Sequence, residues 1–172
     1  MKCNAKMLDI LRSVDLTGMS EKDVPFPFQG ILREGWCTTE NGARVLRTLW
    51  QGYNGRISEF SDIVHFEVFI NGRGMTDYDL PEQESERIPP LLRRSVAYAC
   101  AGLRNSQRDS EVQMKSYISL SLGGLDDRTL TAHVTFCGEH AGVPPYIDDV
   151  HAFQSEALME VSPGDCESLG FV

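Results

Sequence analysis

Cys137-Gly138-Glu139-His140 sets a thiol, a carboxylate and an imidazole within four residues. A cysteine becomes a nucleophile when a base stands within hydrogen-bond reach and a third group orients that base. Loops carried on a rigid scaffold are common places for such groups. Here Cys137 has the type of a nucleophile and His140 that of its base. Glu139 neighbours His140 in sequence, which does not by itself aim the carboxylate at the ring. Adding His133 gives His-x-x-x-Cys-x-x-His, a set of zinc-type ligands. On an extended strand His133 and Cys137 stand roughly 13 Å apart, too far to share one ion. A fourth ligand would have to come from Cys166 or His151. No metal and no cofactor is therefore expected.

Two carboxylate pairs, Asp126-Asp127 and Asp148-Asp149, could hold a divalent cation or supply a general acid. Each also has a structural explanation. The first pair lies in a turn, where Asp bonds the local backbone. The second falls at an expected helix start, where acids complement the dipole. Gly72-Arg73-Gly74 lacks the spacing and the Lys-Ser/Thr of a phosphate loop.

The acids are unevenly placed. The chain carries a net charge of −9, and beyond Arg128 there is no Lys or Arg at all. That segment holds Glu139, Asp148, Asp149, Glu156, Glu160, Asp165 and Glu167. A surface of one sign repels nucleic acid and anionic membrane and attracts a basic protein. A second candidate surface is rich in hydroxyls: Tyr117, Ser119, Ser121, Thr129, Thr131, His133 and Thr135 alternate with apolar residues. The residues expected to meet a partner are thus Asp148, Asp149, Glu156, Glu139, Tyr117, Ser119, Thr131 and His133.

These residues need a frame. Met114, Ile118, Leu120 and Leu122, and then Leu130, Ala132, Val134 and Phe136, alternate with polar residues around a Gly-rich turn. That predicts an antiparallel hairpin over 112–137 with one face on the core. Ile-Val-His-Phe-Glu-Val-Phe-Ile followed by Asn71-Gly72 predicts a second hairpin over 63–80. Apolar spacing predicts helices over 2–14, 40–51, 89–104 and 147–159. Pro25 and Pro27 make residues 19–28 a connector, and residues 31–37 a short strand. The fold class is α+β, with an antiparallel sheet built from hairpins, in one domain of 172 residues.

Five scattered cysteines, Cys3, Cys37, Cys100, Cys137 and Cys166, predict free thiols and a cytoplasmic location. Cys100 reads as a small core residue. No apolar stretch is long enough for a membrane helix, and Asp9 and Arg12 break any signal-peptide core. In size, charge profile and lack of a catalytic motif the chain resembles the immunity proteins with which bacteria neutralise nuclease toxins, although no motif carries the likeness. That resemblance implies an inhibitor that occludes a basic partner. The competing expectation is a small enzyme using Cys137 and His140 or a carboxylate pair.

Overall fold

The computed structural model describes residues 1–75, 77–107, 112–122 and 130–171, with the side chains of Glu84 and Leu122 left aside. The expected turn with Asp126 and Asp127, and Thr129 beside it, lies outside the described residues. A five-stranded antiparallel sheet forms the centre, in the order β1 (Lys2–Cys3), β7 (Ala157–Val161), β5 (Met114–Leu122), β6 (Leu130–Gly138), β4 (Arg73–Met75). β2 (Trp36–Thr38) and β3 (Arg44–Leu46) pair separately. The helices are α1 (Ala5–Leu11), α2 (Phe26–Glu34), α3 (Arg47–Gln51), α4 (Ile63–Asn71), α5 (Glu84–Ser106) and α6 (Pro163–Ser168). The architecture is α+β, as the alternation predicts.

The β5–β6 hairpin has the expected register, with Ile118 opposite Val134 and Ser119 opposite His133. Its apolar face joins Ala157, Met159 and Val161 of β7 in the main core. Long α5 packs across that face: Leu92, Val96, Ala99 and Leu103 are buried. The Phe136 ring needs Gly102, because a Cβ there would come within 2.7 Å of it. Trp36 and Tyr98 meet Phe136 edge-on, with centroids 5.5 Å away in both cases. Ser116, the one polar residue in the apolar set, is satisfied because its hydroxyl donates to the Thr135 carbonyl at 2.8 Å.

Several expected elements differ. Residues 63–71 form a helix, not a strand. Asp62 caps it, accepting from the His65 amide at 2.9 Å. The burial of Val64, Glu67 and Asn71 beside Phe66 and Ile70 follows helical spacing. Packing overrides the β preference of this Val- and Ile-rich run. Asn71-Gly72 ends the helix and is no hairpin turn. Pro25 and Pro27 start α2 where they were expected to prevent structure, since the first helical turn does not use its N–H groups. Pro89 and Pro90 sit inside α5, which begins five residues before them. The carbonyls they leave without donors belong to exposed Ser85 and Glu86, where water can serve.

The first helix is shorter than 2–14 because Lys2–Cys3 is taken into the sheet and Asn4 caps α1 at the Met7 amide. Residues 40–51 divide into a turn, β3 and α3. Residues 31–37 are mostly the end of α2. The largest correction is at 147–159, where no helix forms. Ala157–Val161 enters the sheet between β1 and β5, and Ser162 begins α6 with a capping box to Asp165.

The cysteine expectation is also corrected. Cys100 of α5 is bonded to Cys166 of α6, with Cα atoms 5.4 Å apart, leaving Cys3, Cys37 and Cys137 free. Cys100 is a core residue as well, fully buried. The partner was hidden because 66 residues separate the two. Among the described residues no helix is long and apolar enough to cross a membrane.

Titration of denatured, unreduced protein should therefore find three thiols and, after reduction, five. Closing a loop of this length constrains the unfolded chain, so reduction should lower unfolding free energy by about 2–4 kcal/mol. Five thiols before reduction would remove the crosslink from this description.

Candidate functional site

The polar face of the hairpin is not the open, flat surface its sequence suggests. α4 and the loop over residues 139–156 close much of it. Tyr117, Cys137 and Leu158 are buried there with Val64 and Val150, and Val143, Tyr146, Ile147 and Phe153 pack around them. Thr135 is buried too, its hydroxyl donating to the Val68 carbonyl at 2.6 Å. Ser119 and Thr131 are half-buried and His133 is exposed.

Two depressions remain beside Tyr146. The larger, about 310 Å³, has Lys115, Tyr117, Glu139, Tyr146, Asp148 and Glu160 among its lining. Val143, Pro144, Pro145 and Ile147 make its apolar wall. The smaller, about 200 Å³, is formed by Ser119, His133, Thr135, Phe153 and Glu156 with the same two tyrosines. The tyrosines meet edge to face, centroids 5.3 Å apart. The structure thus gathers Glu139, Asp148 and Tyr117 at one pit and Tyr117, Ser119, His133 and Glu156 at the other. Asp149 and Thr131 line neither. Asp149 is exposed and accepts from the His151 amide at 2.9 Å.

Glu160, Tyr117, Lys115 and Glu139 of the larger pit are paired with one another or with Lys2. Glu160 accepts from the Tyr117 hydroxyl at 3.0 Å and meets Lys2 Nζ at 3.1 Å. Lys115 Nζ is 2.6 Å from Glu139 and 3.5 Å from Glu160. Burial alone would raise the Glu160 carboxyl, but Lys2, the Tyr117 hydroxyl and Lys115 together hold it below the usual carboxylate range. For Lys115, burial pulls downward and the two glutamates outweigh it, so the ammonium is held above its ordinary value. Tyr117 is pushed up, first by burial and then by the Glu160 charge, and stays a phenol.

Cys137 and His140 are close in the chain but serve different partners. Burial, reinforced by Glu67, pushes the Cys137 thiol up to about 12. A nucleophilic cysteine needs the opposite shift. His140 turns its Nε2 to Glu67 Oε1, at 3.0 Å. Glu67 is fully buried in α4 and was not singled out by sequence. It also accepts the Arg44 amide at 2.5 Å and the Gly138 amide at 2.7 Å. One turn on, the buried Asn71 carboxamide accepts from Leu46 N at 2.9 Å and donates to the carbonyls of Arg44 and Phe136, at 3.0 and 3.1 Å. A buried carboxylate with this many donors is structurally accounted for. The only sequence signal for it was a lone Glu within an apolar run. Lys2 was missed because its partner Glu160 is 158 residues away. Among the described residues no group of three or more His, Cys, Asp or Glu is placed to hold a metal ion.

Compared with known proteins, the chain matches no protein-family model, no curated protein and no solved structure.

Replacing Glu67 by Gln puts an amide donor against one of two backbone donors. The cost should be about 1–3 kcal/mol, the usual price of an unmet buried group, seen as a lower denaturant midpoint with unchanged slope. A neutral substitution would mean that Glu67 does not organise this corner.

Cys137 should resist alkylation. Incubated with iodoacetamide at pH 8, the folded protein should leave Cys137 unmodified by peptide mass mapping while denatured protein reacts. Rapid modification of folded Cys137, abolished by His140→Ala, would restore the nucleophile reading.

Proposed function

We propose that this chain is a protein-binding inhibitor of the immunity type. It engages a basic partner, such as a nuclease toxin domain, through the acidic loop 139–156 and the pitted sheet face beneath it. The observation that supports this reading is how the acids divide. Glu139 and Glu160 are neutralised by Lys115 and Lys2, and Asp165 by the N-terminal amine. Asp148, Asp149 and Glu156 make no ion pair with any described residue. Asp148 and Asp149 are exposed and Glu156 half-buried, all on one irregular loop. Charges left uncompensated at a surface cost solubility nothing and steer an oppositely charged protein. Occlusion would follow if these acids met the Lys and Arg with which a nuclease holds phosphates. A cytoplasmic location belongs to this reading and has to accommodate the Cys100–Cys166 bond.

The rival enzyme reading is weakened at its best-formed candidate, since Cys137 is buried with a raised thiol and His140 faces Glu67.

The test uses the product of the adjacent reading frame if that product is basic. Asp148→Asn, Asp149→Asn and Glu156→Gln are combined, and association and dissociation rates are measured at two salt concentrations. Rim charges act mainly on association, so the triple variant should associate about tenfold more slowly at low salt, with a flatter salt dependence. Stability should fall by no more than about 1 kcal/mol, as for exposed charges. Unchanged rates and unchanged salt dependence would make the acidic loop a solubility feature and end this reading.

A further inference from the structure

Resting on that reading, we infer that the larger pit is the anchor for one basic side chain of the partner, an arginine by its chemistry. The two pits differ in kind. The smaller is lined by Ser119, His133 and Thr135 and has one carboxylate, Glu156. The larger combines apolar lining, Val143-Pro144-Pro145 and the Tyr117–Tyr146 pair, with a set of charged residues.

Those residues are three carboxylates, Glu139, Asp148 and Glu160, two ammonium groups, Lys2 and Lys115, and His140, whose ring is already engaged by the buried Glu67. Lys2 and Lys115 are spent on Glu160 and Glu139. Asp148 remains without an ion pair among the described residues, exposed at the rim. One incoming cation balances the set, while an incoming anion would have to displace Glu139 or Glu160 from a lysine. The apolar wall accommodates a methylene stem. A planar guanidinium can lie against the Tyr146 ring while its fork meets the Asp148 carboxylate, which a compact ammonium does less well. The pit is small, about 310 Å³, so it takes a side chain and not a strand.

The probe is N-acetyl-arginine amide, added to the folded chain and followed through amide NMR shifts. Its uncharged citrulline analogue and the N-acetyl-glutamate amide serve as comparisons. The arginine compound should give saturable shifts confined to Gly138, Tyr146 and Asp148. Asp148→Asn should weaken binding about two- to fivefold, the effect of one exposed ion pair. Tyr146→Ala should weaken it by a similar factor, that of one exposed cation–π contact. Glu167→Gln, an exposed acid that does not line the pit, should leave it unchanged. Citrulline binding as well as arginine, glutamate binding better, or shifts without saturation would each overturn the arginine pit. The readings fail separately: an arginine pit that fails while the triple variant still loses steered association leaves the inhibitor standing without this anchor. A saturable pit in a chain whose triple variant binds its partner normally keeps the pit and removes the inhibitor.

Discussion

β6 is nine residues long and its outer neighbour β4 only three. Beyond Val134, where β4 stops pairing, the edge of β6 would carry buried backbone groups with no partner. Leaving them unmet is costly, since each buried amide or carbonyl needs a hydrogen bond. Two side chains of α4 solve this. Asn71 takes the Phe136 carbonyl and Glu67 the Gly138 amide, and the same two side chains hold the Arg44 amide, the Arg44 carbonyl and the Leu46 amide of β3. Glu67 and Asn71 thus act as rungs between two strands that never pair. They join the small sheet to the large one and fit residues 63–71 being helical, because a helix brings positions four apart within one turn, roughly 6 Å, while a strand would hold them roughly 13 Å apart.

The site follows from the same constraint. By fixing Gly138 and His140, Glu67 sets where the chain leaves β6 and begins the loop over 139–156. That loop folds back over Tyr117 and Cys137, which buries the would-be nucleophile and leaves Asp148 and Asp149 outside. The polar strand face that remains is divided by Tyr146 into two small pits. Chemistry suggested by Cys137-Gly138-Glu139-His140 is thereby spent on architecture. His140 holds a buried carboxylate, Glu139 holds Lys115, and Cys137 fills space.

The sequence was most legible where one local signal and the tertiary demand agreed. β5 and β6 alternate cleanly and pair in the expected register, and α5 carries an unbroken apolar stripe. Residues 63–71 misled because alternating Val, Phe and Ile fit a strand as well as a buried helix. Glu67 and Asn71, which decide the matter, have meaning only once β3 and β6 are in place. Residues 147–159 misled similarly: their apolar spacing fits a helix, while Ala157–Val161 is an interior strand, between β1 and β5, buried on both faces. The acidic segment was legible as composition but not as surface, because Lys2, Lys115 and the N-terminal amine come from far away to neutralise three of its seven acids.

The Cys100–Cys166 bond also fixes how the chain can carry a load. β1 is paired to β7, and the N-terminal amine sits against Asp165, one residue before the bonded Cys166. Tension applied between residues 1 and 171 passes from Cys100 straight to Cys166 through sulfur. The span between them, with β5, β6 and β7, is bypassed, and on the order of 220 Å of contour is withheld from extension. A motor that draws the chain in with the bond intact would have to pass three stretches of chain at once behind the crosslink: both legs of the closed loop and the segment beyond the second cysteine. With the bond intact, β5, β6 and β7 keep their length while Lys2, at the pulled end of β1, is the first part of the larger pit to be drawn away.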